Sequence, residues 1–176
     1  MWYRLVVRSE PPPSAGLPTA AVLAPLYEDS HGDIRVVLTK RPDTMPTHAG
    51  HLAFPGGRPD PGDDGPVSTA LREAHEEVGI EPESVEVLGF LPAVDTISFA
   101  LMVIPVVGRL VSEPVLVPSP REVDRILLPR LADLADDAGW RSEEWHGHTV
   151  WFYEIDGEIL WGATAWMTRT LLGLPT

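Results

Sequence analysis

Apolar residues along the chain follow two periods, one of about two residues and one of about 3.6, which are typical of strands and helices respectively. Strand patterns occupy 20–27, 34–39, 52–54, 85–91, 97–107 and 149–155, and the first seven residues also have a strand-like pattern. Helical patterns occupy 66–78, 124–136 with a break near Pro129, and 164–172. Strands with interleaved helices and no simple βαβ repeat predict an α/β fold, in which a mixed sheet lies between helical layers.

The helix predicted at 66–78 is amphipathic. Pro66 suits its first turn, and Gly79 is placed to end it as a left-handed glycine. Its apolar face has the 3.6-residue period of a packed helix and comprises Val67, Ala70, Leu71, Ala74 and Val78.

Three carboxylates, those of Glu73, Glu76 and Glu77, share one face of this helix because they are spaced at i, i+3 and i+4. Like charges at that spacing destabilise a helix by about 0.2–0.5 kcal/mol per pair. The three also lie in the last turns before Gly79, where the helix macrodipole disfavours negative charge. A bound hard cation, Mg²⁺ or Mn²⁺, would account for the cluster, since both ions prefer carboxylate oxygens.

Length, charge and cysteine content narrow the class of protein. The 176 residues are enough for one domain with a hydrophobic core, which we expect to span 1–176. A net charge of −13 argues against nucleic-acid and anionic-membrane partners, because both need a basic surface. The absence of cysteine excludes disulfides, zinc–thiolate sites and thiol nucleophiles. The N-terminus lacks the pattern of a signal peptide and no apolar stretch is long enough to span a membrane, so a cytoplasmic enzyme is expected.

The segment before the helix supplies further polar groups. The glycine pair at 56–57 lets the backbone approach a ligand or metal closely. Arg72 is placed to hold a carboxylate by a bidentate pair. The loop that follows the glycines adds three acidic residues, Asp60, Asp63 and Asp64. Phosphoanhydride hydrolysis uses such groups, because divalent ions neutralise phosphates and activate water while a carboxylate orients that water.

Taken together, these residues resemble the Nudix box, Gly-x5-Glu-x7-Arg-Glu-U-x-Glu-Glu-x-Gly-U, where U is aliphatic. The match runs in series through Arg72, Glu73, Ala74, Glu76, Glu77, Gly79 and Ile80. Upstream, fourteen residues instead of thirteen separate Gly57 from Arg72, and Asp64 stands where the first glutamate belongs.

The resemblance implies a Nudix fold, an α/β/α sandwich with a mixed central sheet, and a Mg²⁺- or Mn²⁺-dependent diphosphohydrolase. Its substrate would be a nucleoside diphosphate derivative, cleaved by metal-activated water. By position, Glu73, Glu76 and Glu77 would be metal ligands, with the Gly57 carbonyl as a further ligand. Arg72 would orient Glu73 or Glu76.

A wider resemblance, covering most of 20–172, is to coenzyme A pyrophosphatases. It is carried by Leu38-Thr39-Lys40-Arg41, His48-Ala49-Gly50, Phe54-Pro55-Gly56-Gly57 and Trp161-Gly162-Ala163-Thr164-Ala165. Pro46 stands where that group usually has an arginine, so ADP-ribose, a dinucleotide or a nucleoside triphosphate is the alternative to coenzyme A or an acyl derivative. The candidate substrate-binding cations are Lys40, Arg41 and Arg58. A non-catalytic nucleotide sensor of the same fold is a further alternative, and a homodimer is left open.

Several residues outside the box have two interpretations. Glu122 would bind another metal or activate water, or would simply be an acid at a helix N-terminus. His146-Gly147-His148 is expected to be a surface turn. The aromatic residues Trp145, Trp151 and Phe152 would stack on a base or pack in a core or dimer interface, whereas Trp161 and Trp166 are expected in the core.

Overall fold

The computed structural model describes residues 5–13, 19–96 and 101–176. Its largest sheet has six strands in the order β2-β1-β8-β6, with β5 added beside β1 and β7 beside β8. These strands are β1 Thr19–Glu28, β2 Ile34–Val36, β5 Gly56–Gly57, β6 Val85–Phe90, β7 Val94–Thr96 and β8 Leu101–Leu110. Strands β1 and β8 run parallel and all other pairs are antiparallel, so the sheet is mixed.

Two smaller sheets of three strands each adjoin the large one. The first has the order β4-β3-β9, from Leu52–Ala53, Leu38–Lys40 and Arg125–Leu127. The second is a meander of β10 Arg141–Trp145, β11 His148–Ile155 and β12 Glu158–Trp161. The helices are α1 Pro66–Val78, α2 Leu131–Leu134 and α3 Gly162–Leu171.

The core lies on both faces of β1, whose alternate side chains point to opposite sides. Leu23 packs in the cluster that holds the apolar face of α1. Leu26 packs in the other cluster, which holds Ala165 and Leu171 of α3. Helices therefore cover both faces of the mixed sheet, and the predicted α/β sandwich is confirmed. Within the described ranges, no helix is long and apolar enough to cross a membrane.

Helix α1 follows the sequence prediction closely. It begins at Pro66, ends before Gly79, and buries Ala70, Ala74 and Val78 completely. Gly79 has φ 74°, and its N–H donates to the His75 carbonyl at 2.9 Å, as expected of a helix-ending glycine.

Other predicted elements differ from the structure. The strand expected at 34–39 is interrupted at Val37, so its halves belong to two different sheets. The helix expected at 124–136 is wrong, because residues 125–127 form β9, in which Leu127 lies opposite Leu38, and only α2 is helical. The strand expected at 97–107 begins outside the described residues, which resume at Leu101. Of the strand expected at 1–7, residues 1–4 also lie outside the described residues, and residues 5–7 form no strand.

Candidate active site

The buried face of α1 fixes where its carboxylates lie. The side chain of Glu77 is carried into the protein, leaving the residue only 4% exposed, and it accepts a hydrogen bond from the backbone N–H of Gly56. A Cβ atom at Gly57 would collide with the carboxylate of Glu73. Glycine at this position therefore allows β5 to approach the helix closely enough for backbone and carboxylate groups to meet.

Three carboxylates converge beside β5: each of Glu73, Glu77 and Glu122 offers an oxygen, and these oxygens lie within 4.8 Å of one another. Glu122 comes from a distant loop, which is tied to α1 where Ser119 donates its N–H to the Glu77 carbonyl at 2.8 Å. We refer to these three residues as the carboxylate cluster. The helix-end interpretation of Glu122 is wrong, since it lies in a turn before β9.

The electrostatics of the carboxylate cluster suit a divalent cation. Burial, together with the neighbouring charges of Glu122 and Glu73, raises the pKa of Glu77 from 4.5 to about 8. Burial also raises the pKa of Glu73, although the Arg72 guanidinium opposes this. Like charges raise the pKa of a neighbouring carboxylate unless a cation compensates them, and this effect contributes at Glu77. The all-oxygen donor set fits Mg²⁺ or Mn²⁺.

Arg72 bonds to several acidic groups on the solvent-facing side of α1. Its Nη1 lies 3.1 Å from Glu73 and 3.3 Å from Glu76, and its Nη2 donates to Asp63 at 3.0 Å. Its Nη2 also donates to the Arg58 carbonyl at 2.9 Å. Glu76 thus lies beside Arg72 with its side chain 53% exposed, and outside the carboxylate cluster. One guanidinium orients two of the three predicted glutamate ligands.

Of the two adjacent loop acids, Asp63 pairs with Arg72 and Asp64 does not. Its carboxylate accepts from Arg72, from the Asp60 N–H and from the Thr69 hydroxyl, and these bonds lower its pKa to about 2. Asp64 is exposed. The assignment of Asp64 came from counting back from Arg72. Counting forward from Gly57 by the Gly-x5-Glu spacing ends at Asp63, so the extra residue of this loop lies between Asp63 and Arg72.

The three candidate substrate-binding cations have different environments. Arg41 lines the cavity described below, and its Nε is buried without a hydrogen-bond partner in the described part of the chain. Lys40 points elsewhere and pairs with Glu158 at 2.9 Å. Arg58 is exposed, and its carbonyl holds Arg72. Arg41 is therefore the cation best placed to meet an anionic ligand.

A cavity of about 1020 Å³ adjoins the carboxylate cluster, with Glu77 and Gly56 in its wall. Four tryptophans line it, Trp145, Trp151, Trp161 and Trp166, together with the histidines His48, His51, His146 and His148. The expected surface turn at 146–148 is confirmed as a turn between β10 and β11, and it forms part of the cavity rim. The expectation that Trp161 lies in the core is wrong, since it is half-buried in the cavity wall, whereas Trp166 is half-buried and packs against the core.

Comparison with known proteins agrees with this geometry. Residues 17–151 match the NUDIX domain. The chain is 40% identical over 156 residues to Nudix hydrolase 22, chloroplastic, of Arabidopsis thaliana, covering 83% of this chain and 51% of that protein. It is 37% identical over 156 residues to the uncharacterized Nudix hydrolase NudL of Enterobacter sp. (strain 638), covering 86% and 80% respectively. The chain thus spans about half the length of the plant relative.

Solved structures share the fold at lower identity. A MutT/nudix family protein from Enterococcus faecalis superposes with a TM-score of 0.62 at 15% identity, over 97% of this chain and 65% of that one. The M. Smegmatis Nudix hydrolase RenU superposes with a TM-score of 0.56 at 24% identity, over 68% and 74%. From the matched domain and the relatives more than one third identical, the chain belongs to the Nudix hydrolase family.

Proposed function

We propose that the protein hydrolyses the diphosphate linkage of a nucleoside diphosphate derivative, with Mg²⁺ or Mn²⁺ as cofactor. The observation that carries this proposal is the carboxylate cluster in the wall of a cavity large enough for a nucleotide. Residues 1–176 would form one catalytic domain. A cytoplasmic location and a homodimer remain predictions.

Glu73, Glu77 and Glu122 would hold the cation, with the Gly57 carbonyl as a further ligand. Glu76, which lies beside Arg72 outside the carboxylate cluster, is kept as a candidate ligand because the resemblance to the Nudix box implies it. Bound there, a divalent cation would neutralise the diphosphate and lower the pKa of water. The Gly56 N–H fixes the Glu77 carboxylate, and the single guanidinium of Arg72 fixes those of Glu73 and Glu76.

The protein's own groups then account for substrate positioning and proton transfer. Arg41 would bind the diphosphate where the cavity meets the carboxylate cluster. Glu122 or one of the helix glutamates would accept a proton from the attacking water. The water oxygen bonds to phosphorus as the bridging P–O bond breaks, which yields two phosphate monoesters from a diphosphate diester.

Coenzyme A or an acyl derivative is our first choice of substrate. It is supported by the sequence elements at 38–41, 48–50 and 54–57, which contribute Arg41, His48 and Gly56 to the cavity wall. Pro46 is exposed in the same loop, where the resembled group usually has an arginine. If that arginine contacts a phosphate of coenzyme A, this protein would bind coenzyme A poorly. ADP-ribose, a dinucleotide or a nucleoside triphosphate is therefore the alternative.

A substrate panel tests the proposal. Coenzyme A, acetyl-coenzyme A, ADP-ribose, a dinucleoside polyphosphate and nucleoside triphosphates would be incubated with the protein and Mg²⁺, and the products identified by mass. We expect diphosphate cleavage that EDTA abolishes. Cleavage of none of these compounds would disprove the enzymatic function, and the preferred compound decides between coenzyme A and its alternatives.

A further inference from the structure

A row of aromatic rings lies along the wall of the cavity that adjoins the carboxylate cluster. The ring centroids of His48 and His51 are 5.3 Å apart, those of His51 and Trp161 4.7 Å, and those of Trp161 and Trp145 5.8 Å. Each pair meets edge to face. All four residues line the cavity, and we refer to them as the aromatic row.

Neighbouring groups hold the end of the aromatic row at Trp161 and Trp145 in place. Phe152 stacks behind Trp161 with an interplanar angle of 13°, and the Arg141 guanidinium lies 4.6 Å from the Phe152 ring. Trp145 donates its indole N–H to Glu143 at 3.1 Å. The β10–β11 turn that follows has positive φ at His146 and Gly147, which is the compact geometry of a two-residue hairpin. Trp145 is nevertheless 42% exposed, so a fixed aromatic surface faces the cavity without a cover.

Polarity changes along the cavity. Glu77 belongs to the carboxylate cluster, and the charge of Arg41 acts on Glu77. Burial lowers the pKa of both His48 and His51, and the charge of Arg41 acts in the same direction, which favours their neutral form. The aromatic row thus presents uncharged rings beyond the cationic Arg41. A ligand that matches this gradient has an anionic end and a flat, uncharged ring at the other end.

We infer that the base of a nucleotide binds against His51, Trp161 and Trp145, while the diphosphate of the same molecule lies at Arg41 and the carboxylate cluster. The diphosphate half of this inference rests on the proposed function. Any base stacks on aromatic side chains because every base has a π face. A flexible pantetheine or acyl chain would have to be ordered along the same rigid wall, which costs conformational entropy.

Calorimetric titration with ADP in Mg²⁺ buffer tests the site in the whole protein. We expect Trp145→Ala to weaken ADP binding about tenfold or more, since it removes a stacking surface. Trp145→Phe should restore most of the affinity, and His51→Leu should weaken it independently at the other side of Trp161. Val115→Ala is the matched control, because Val115 is 86% exposed and is not part of the cavity wall.

Two further probes separate the parts of a substrate. Inorganic diphosphate and 4′-phosphopantetheine should bind equally to the wild-type protein and to Trp145→Ala. The inference is overturned if wild-type protein does not bind ADP, if both Trp145→Ala and His51→Leu bind ADP normally, or if phosphopantetheine is the probe that loses affinity.

Failure of the inference differs from failure of the proposed function. If the protein cleaves diphosphates but the variants at Trp145 and His51 leave ADP affinity unchanged, only the base site is wrong. If ADP binding depends on these residues but no diphosphate is cleaved, the base site stands and the hydrolase proposal fails. If the base site and the hydrolase activity are both confirmed, Trp145→Ala should raise KM for the preferred nucleotide substrate.

Discussion

Arg72 and Asp63 form a side-on ion pair across the loop that precedes α1, with Nη2 at 3.0 Å from Oδ2 and Nε at 3.2 Å from Oδ1. The Asp63 side chain is only 6% exposed and also accepts hydrogen bonds from Thr69 and from the N–H of Asp60. The guanidinium that reaches Glu73 and Glu76 is therefore fixed in place from behind. Asp63 acts on the carboxylates through Arg72.

Replacing Asp63 should lower activity without removing any ligand. We expect Asp63→Ala to reduce kcat about 10–100-fold, the usual effect of losing a group that orients a metal ligand. The matched control is Asp64→Ala, since Asp64 is the adjacent acid and is exposed. Steady-state kinetics at several Mg²⁺ concentrations give the comparison. Equal losses in the two variants would contradict the assignment of Asp63.

Helix α1 was predicted correctly from the sequence, whereas the choice between Asp63 and Asp64 was not. Helix α1 was predicted at 66–78 because its apolar period and its terminal Pro66 and Gly79 are local signals. The choice between Asp63 and Asp64 depends on how the loop folds back onto Arg72. That geometry is set by Asp63 accepting from Asp60 and Thr69, which motif spacing does not specify.

Long-range pairing explains the other differences. Residues 125–127 have a helical pattern, but β9 gains the edge of β3 with Leu127 opposite Leu38, and this pairing outweighs local preference. Glu122 reaches the carboxylate cluster because Ser119 bonds to the backbone of Glu77, 42 positions before it. The aromatic row likewise joins the 48–51 loop to the second small sheet. None of these contacts has a local sequence signal.

Glu77→Gln should abolish most of the activity. Glu77 is the buried member of the carboxylate cluster, and glutamine keeps its size while removing the charge that a divalent cation needs. We expect kcat to fall at least about 1000-fold, or ~4 kcal/mol of transition-state stabilisation, and Mg²⁺ affinity to fall with it. Titration of Mn²⁺ followed by electron paramagnetic resonance measures the affinity directly.

Glu83→Gln is the control for that variant. Glu83 is an exposed acid just beyond α1, so its substitution makes the same change in net charge away from the site. It should leave both kcat and Mn²⁺ affinity unchanged. Normal Mn²⁺ binding by Glu77→Gln would remove Glu77 from the proposed ligands.

Without metal, the stability of the protein should fall as pH rises from about 4.5 to about 8. The folded protein keeps the Glu77 proton up to about pH 8, whereas the unfolded chain releases it near 4.5. In this window the folded state binds more protons, so the free energy of unfolding decreases with pH, by about 1.36 kcal/mol per unit of pKa difference at most. Saturating Mg²⁺ should reduce this decline because the cation compensates the ionised cluster.

Thermal unfolding in EDTA at pH 5.5 and 8.0 measures the effect. Glu77→Gln cannot ionise at position 77, so its melting temperature should change less between the two pH values than that of the wild-type protein. Glu73, whose pKa is also raised, would account for part of the remaining slope. Identical slopes in the wild-type protein and in Glu77→Gln would show that Glu77 ionises normally in the folded state.

Arg41 and Lys40 are adjacent cations that should differ in function. Arg41→Met should raise KM about tenfold, because it removes from the cavity wall the guanidinium that would bind the diphosphate. A hydrogen bond to a charged group contributes ~1.5–3 kcal/mol, which is consistent with a change of this size. Lys40→Met should leave KM unchanged, since its ammonium group pairs with Glu158. Kinetics with the preferred substrate of the panel measure both. A larger KM effect at Lys40 would reverse the assignment.

Arg169 and Asp137 form an ion pair whose two ends differ in burial, and stability should depend on that asymmetry. The Arg169 side chain is 0% exposed, contacts the Trp151 ring of the cavity wall at 3.5 Å, and pairs at 2.8 Å with Asp137, which is 58% exposed. Asp137→Ala leaves a buried cation without its counter-charge, so we expect the free energy of unfolding to fall by a value on the order of 3 kcal/mol.

Glu86→Ala is the matched control for Asp137→Ala. Glu86 is 59% exposed, but its partner Arg109 is 48% exposed, so water can solvate the remaining cation. Removing the Glu86 carboxylate should lower the free energy of unfolding by less than about 1 kcal/mol. Urea unfolding curves give both losses as midpoint shifts at a common slope. Equal shifts would mean that the burial of Arg169 does not determine how much stability is lost. The contribution of Arg169 to stability would then come from its contacts with the Trp151 and Trp140 rings.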